Sequence, residues 1–62
     1  MNYYVVILIA VCESADTIFE TSEIYVLAEN REDAIDKATE YYYKNYIANV
    51  DYVFPKCCDK LE

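Results

Sequence analysis

Residues 3–12 read YYVVILIAVC, an unbroken apolar run that opens two positions into a chain of 62 residues. Ten residues are about half of what a transmembrane helix requires. A secretory signal carries basic residues ahead of its apolar stretch and small residues near its end. Only Met1 and Asn2 stand ahead here, and Val11 fills the place where a lipoprotein-type signal has a small residue before its cysteine. Tyr3, Tyr4, Val5, Val6, Ile7, Ile9 and Val11 are β-branched or aromatic, which suits a pleated surface better than a helix. The run is therefore expected to be a buried central strand, and its reading decides the fold.

After Cys12, Glu13-Ser14-Ala15-Asp16 is a polar connection of hairpin length. The segment from Thr17 to about Ala28 reads as a second strand, with Ile18, Ile24, Val26 and Ala28 on one parity and Phe19, Tyr25 and Leu27 on the other. Glu20 and Glu23 interrupt its middle, which predicts a bulge or an edge strand. Asn30 followed by Arg31, Glu32 and Asp33 is a helix start, since an Asn side chain and early carboxylates satisfy first-turn amides. The helix is expected over 31–46, with Ala34, Ile35, Ala38, Tyr42 and Tyr46 in one apolar stripe and Tyr41 at its margin. Val50, Tyr52 and Phe54 then alternate with Asp51 and Val53, and Pro55 is expected to stop a third strand.

The order is ββαβ. A right-handed crossover through the helix returns the third strand to the far side of the first. The expected fold is α+β: a three-stranded antiparallel sheet of order 2-1-3 with one helix on one face, a single domain over residues 1–56, and a tail over 57–62. Leu61-Glu62 has the look of an expression-vector scar. One helix covers one face of such a sheet, yet the first strand is apolar on both parities, Tyr4, Val6, Leu8 and Ala10 against Tyr3, Val5, Ile7, Ile9 and Val11. The uncovered face is thus expected to be an interface. Burying Val5, Ile7 and Ile9 in a sheet-to-sheet homodimer, or Tyr4, Val6 and Leu8 if the parity is reversed, removes roughly 200 to 300 Å² of apolar surface, on the order of 5 kcal/mol. Such a gain rivals the whole stability of a domain this small.

The stretch IYVLAENREDAIDKA, residues 24–38, is a strand that runs through Ala-x-Asn into a helix opening Arg-Glu-Asp-Ala-Ile. It resembles the small ββαβ proteins of phages and mobile elements, the DpnD/PcfM-like group among them. That resemblance implies a fold and a genomic setting and carries over no functional residues. In size, charge and lack of cofactor motifs the chain also resembles anti-CRISPR proteins.

The residues themselves exclude much chemistry. With no His and no Gly, the usual general base, the commonest metal ligand and the phosphate-cradling loop are all missing. Ser14 and Ser22 have no activating partner, so no catalytic site and no cofactor are expected. Cys12, Cys57 and Cys58 offer three sulfurs that would need a carboxylate to complete a metal site. The plainer reading makes Cys12 a small core hydrophobe and the other two reduced tail residues, as an odd count in a reducing cytoplasm suggests. The aromatic cluster EYYYKNY, residues 40–46, invites stacking on nucleic-acid bases. Twelve acidic against five basic residues, a formal charge of −7, oppose direct contact with nucleic acid or an anionic membrane. Tyr42 and Tyr46 are then core residues and Tyr43 an interface anchor.

The acidic residues form the remaining pattern. Glu29, Glu32, Asp33, Asp36 and Glu40 fall opposite the apolar stripe, about one 5.4 Å helical turn apart. With Glu13, Asp16, Glu20 and Glu23 on or near the hairpin, they are expected to offer two rows of negative charge to a basic protein surface, in the manner of a nucleic-acid mimic that blocks a defence complex. The plainer reading is a solvated face with ordinary pairs of Asp33 with Lys37 and Glu40 with Lys44. The expected protein is a small, acidic, cytoplasmic, non-catalytic interaction protein. The alternative is a self-associating structural or regulatory module whose acidic face only solvates it.

Overall fold

The computed structural model describes residues 1–45 and 50–61. The chain forms β1 (Asn2–Cys12), β2 (Thr17–Glu20), β3 (Ile24–Ala28), α1 (Arg31–Asn45) and β4 (Tyr52–Lys60). β1 pairs antiparallel with each of the other strands. Tyr4 faces both Val26 and Lys60, and Val11 both Ile18 and Tyr52. Each residue has two edges, so β4 lies on one side of β1 while β2 and β3 follow each other along the opposite side. The fold is α+β, and the sheet has the expected 2-1-3 order, with the second segment divided in two.

That division is a bulge. The pairing of β1 with β2 is offset by one residue from its pairing with β3, and the step falls beside Ile7, between Val6 and Leu8. Thr21 stitches the gap: its N–H donates to the Leu8 carbonyl at 2.9 Å, while its hydroxyl accepts the Leu8 N–H at 3.0 Å and donates to the Ser22 carbonyl. An offset of one residue reverses which parity faces the core. Phe19 therefore packs inward with Ile24 and Val26, whereas Ile18 joins Tyr25 and Leu27 on the other face, correcting the parity expected for an unbroken strand.

β4 does not stop at Pro55. Leu8 directs its backbone groups to Thr21, so opposite it Pro55 sits at a site where a residue's N–H would point away from β1, and the missing donor costs no ladder bond. Lys56 is left over in a second bulge, between Ile7 and Leu8, and pairing continues through Cys57 with Ile7 and Cys58 with Val6. The cysteines thus belong to the strand rather than to a tail. All three are free thiols.

Asn30 caps α1, its side-chain oxygen accepting the Asp33 N–H at 2.9 Å, and Asp33 in return accepts the Glu29 N–H at 3.1 Å. Ala34, Ala38 and Tyr42 point from α1 onto Tyr4, Val6, Leu8, Ala10, Ile24, Ala28 and Cys58, with Ile35 and Val50 at the rim. Small alanines let the helix approach closely, and Tyr42 fills the remaining depth. Tyr46 falls outside the described residues.

Replacing Thr21 with Val keeps the shape but leaves the buried Leu8 N–H without an acceptor. This is expected to lower stability by about 1–3 kcal/mol in urea unfolding, and Thr21→Ser is expected to recover most of the loss. A loss in Thr21→Ser with none in Thr21→Val would show that the methyl group, rather than the hydroxyl, holds the bulge.

Candidate functional site

The helix lies over the face of β1 formed by Tyr4, Val6, Leu8 and Ala10, so Val5, Ile7 and Ile9 look out from the opposite face. Register carries this open face outward. Tyr25 and Asp59 flank Val5, Cys57 flanks Ile7, Glu20 and Phe54 flank Ile9, Ile18 and Tyr52 flank Val11, and Leu27 flanks Tyr3. Of the ten exposed large apolar residues among those described, Tyr3, Ile18, Tyr25, Leu27, Tyr52 and Phe54 all belong to this face, at 41 to 70% exposure. The others are Tyr41 and Tyr43 on the helix and Met1 and Leu61 near the chain ends.

Two aromatic groups mark the ends of the open face. Tyr52 and Phe54 stack at 6.1 Å between ring centroids at the hairpin end. There an open depression of about 320 Å³ is lined by Val11, Cys12, Ile18, Tyr52 and the loop residues Glu13 and Asp16. Asp16 turns that loop with φ of 52°, a left-handed conformation that Asp tolerates better than most residues. Tyr3, Tyr25 and Leu27 hold the other end. The Tyr25 hydroxyl donates to Glu23 at 2.9 Å, and this bond to a carboxylate raises the phenol's pKa above its ordinary value.

At the centre the Lys56 ammonium meets Glu20 at 2.9 Å across β1. The Glu20 carboxylate raises the Lys56 pKa, and the bulge that frees Lys56 from pairing makes the reach available. Glu20 is thereby neutralised on the open face, on the other side of the sheet from the helix. Glu23 lies at the β2–β3 bulge, occupied by Tyr25. Neither joins the helical acids, and Glu13 and Asp16 stand exposed in the hairpin loop.

The row along the helix is Glu29, Glu32, Asp36 and Glu40, all exposed. Asp33 is different. Its carboxylate accepts the Glu29 N–H and meets Lys37 at 3.1 Å, and these two contacts, in that order, hold its pKa below the ordinary carboxylate value. Lys37 also donates to the Leu27 carbonyl at 2.9 Å, tying the helix to the end of β3. Asp33 and Lys37 are therefore structural. Tyr43 is 57% exposed and rests edge-on against Tyr42 at 5.5 Å, which leaves its outer side available as the expected anchor.

Cys58 is buried beneath the first turn of α1, and burial pushes its thiol pKa up, the reverse of an activated nucleophile. Among the described residues no three Cys, Asp or Glu side chains gather as a metal site. No helix among them is long and apolar enough to cross a membrane. No protein-family model, no curated protein and no solved structure matches this chain.

The outward Ile18 and the central Glu20–Lys56 pair were hidden from sequence reading. The Glu-x-x-Glu interruption at Glu20 and Glu23 was the available signal, because a one-residue bulge there flips Ile18 outward.

A depressed folded pKa means that the Asp33 contribution is present above the ordinary carboxylate pKa of about 4 and is lost as pH falls through the lower folded value. In thermal melts between about pH 7 and pH 2, Asp33→Asn is expected to be least stable relative to wild type at neutral pH, with the gap closing in acid. A gap that stays constant with pH would mean that the charge at Asp33 contributes nothing.

Proposed function

We propose that this chain is a non-catalytic interaction protein that engages another protein surface through the open face of its sheet. One observation carries the reading: six large apolar side chains, four of them aromatic, lie exposed together on one face of a 62-residue protein. Contiguous apolar surface of this kind marks interaction sites rather than ordinary solvent-facing sheet. Tyr and Phe also supply large contact areas at low entropic cost, and interfaces are enriched in them. The Glu20–Lys56 pair leaves the middle of the face without net charge, so apolar contact there meets little electrostatic opposition.

A second reading assigns binding to the helix. Glu29, Glu32, Asp36 and Glu40 form an exposed row directed away from the sheet, with carboxylates about a helical turn apart. Such a row suits a basic, nucleic-acid-binding groove, and an inhibitor of a defence complex in the anti-CRISPR manner would use it. Loss of Glu20 and Glu23 from the acidic surface weakens this reading relative to the first.

The two readings separate by photo-crosslinking in the producing cell. With a photoreactive phenylalanine in place of Tyr25 or of Phe54, covalent adducts are expected. The same group in place of Asp36 is expected to give none. Adducts from position 36 alone, abolished by reversing the charge of Glu32 and Glu40, would transfer the function to the helix.

A further inference from the structure

We infer that the occupant of the open face is a second copy of this chain, in an isologous dimer whose twofold axis crosses the sheet near Ile7. This rests on the open face being the interaction surface and names its partner. Three properties of the face lead to it.

The first is area. Buried aromatic side chains cover roughly 150–250 Å² each, so six large side chains exposed by 41 to 70% leave roughly 600 Å² uncovered. Val5, Ile7, Ile9 and Cys57, all half-buried, fill the ground between them. A standard specific interface takes roughly 800 Å² from each partner. The face is thus of the size that a stable dimer requires, with nothing to spare for a second occupant.

The second is the arrangement of residues along β1. Tyr3, Tyr25 and Leu27 make one apolar end, and Ile18, Tyr52 and Phe54 make the other, with Ile7 and Ile9 between them. In an isologous contact, whatever residue i touches on the partner must touch residue i in return. A twofold axis lying across the strands at Ile7 lays one end of each copy on the other end of its partner while keeping each edge over itself, so that Ile7 meets itself, Val5 meets the partner's Ile9, Tyr3 meets the partner's Val11 and Leu27 meets the partner's Ile18. The arrangement accommodates the small inter-sheet angle of aligned sheet packing.

The third is charge. A chain of formal charge −7 repels a copy of itself unless the charges are kept from the contact. Here Glu20 is balanced by Lys56, Asp59 beside Val5 is the carboxylate left on the face, and Glu32, Asp36 and Glu40 sit on α1, with Glu29 just ahead of it, at the far side of the sheet. Face-to-face pairing sends the two acidic rows to opposite outer surfaces, where salt screens them beyond about 8 Å. A basic partner would be drawn to those rows instead, and nucleic acid or anionic lipid would be repelled.

Light scattering of the purified full chain over a concentration series reads the result. The expected mass is twice the chain's 7.3 kDa, falling toward one chain on dilution. Ile18→Glu and Tyr25→Glu change exposed side chains that the core does not use, and are expected to give monomers with unchanged circular dichroism, the dissociation constant rising on the order of tenfold or more. In a Cys12→Ser background, a short bismaleimide is expected to join two copies through Cys57, and to fail once Tyr25→Glu is added. A single-chain mass at every concentration, alongside cellular adducts from position 25 to a protein of another mass, would overturn the second copy and leave the open face as the interface. A dimer indifferent to both Glu substitutions would place self-association on another surface and overturn the inference as well. Monomers with no adduct from position 25 would bring down both this inference and the open-face reading.

Discussion

Every strand in this protein is held by β1. β2, β3 and β4 each pair with it and none pairs with another, so the backbone groups of Asn2–Cys12 supply both ladders of the sheet. The same strand supplies Val6, Leu8 and Ala10, all fully buried, to the core under the helix. A strand bonded along both edges and covered on one face has few states left to it. Its near-continuous apolar composition, unusual for an antiparallel sheet with one solvated face, follows from that position. The dependence has a kinetic side: Tyr4 pairs with Lys60, nearly the whole chain away, so the last ladder closes only after a long loop has been ordered.

Both neighbours of β1 shift register over the same short stretch, β4 between Ile7 and Leu8 and the β2–β3 side between Val6 and Leu8. Bulges raise local twist and re-aim side chains, and here each has a distinct effect. The β2–β3 bulge turns Phe19 toward the core and Ile18 away from it, with the Thr21 hydroxyl replacing the lost ladder acceptor. The β4 bulge releases Lys56 to reach Glu20 across the strand. One bulge therefore adds to the apolar surface of the open face and the other neutralises its centre. The register shifts and the character of the face are one arrangement seen at two scales.

Much of this was legible in the residues. The β-branched and aromatic run identified β1 as a central strand, Asn30 with Asp33 marked the helix start, and the spacing of Ala34, Ala38 and Tyr42 named the buried stripe. That β1 has two apolar faces was legible, but which of them the helix covers was not: either Val5, Ile7 and Ile9 or Tyr4, Val6 and Leu8 suited the open side, and the packing of α1 leaves the former. Three further features escaped for physical reasons. Pro55 reads as a strand terminator because it lacks a donor, yet the lack is harmless on an edge strand where that donor would face outward, and only the register of Leu8 shows this. A bulge can be suspected from Glu20 and Glu23, but its reversal of parity depends on its containing one extra residue. The separation of Glu20 from the helical acids is a consequence of the same register, since charge counted along a chain carries no information about which side of a sheet it occupies.

A small sheet with a single covering helix has an unavoidable imbalance between its faces. Sixty residues cannot form a second layer, so the side of β1 away from α1 either turns polar or becomes a contact surface. In this chain the polar residues are concentrated on the helix, and the open face keeps Tyr3, Ile18, Tyr25, Leu27, Tyr52 and Phe54. Whatever covers that face binds the folded chain and not the unfolded one, and so adds to stability by mass action. Any association through the open face is then linked to folding through β1: the strand that organises the core on one side presents Val5, Ile7 and Ile9 on the other. A substitution on the open face consequently acts on the fold in proportion to how far the face is occupied, and its effect on stability must vary with concentration in a way that a change at Leu8 or Tyr42 does not.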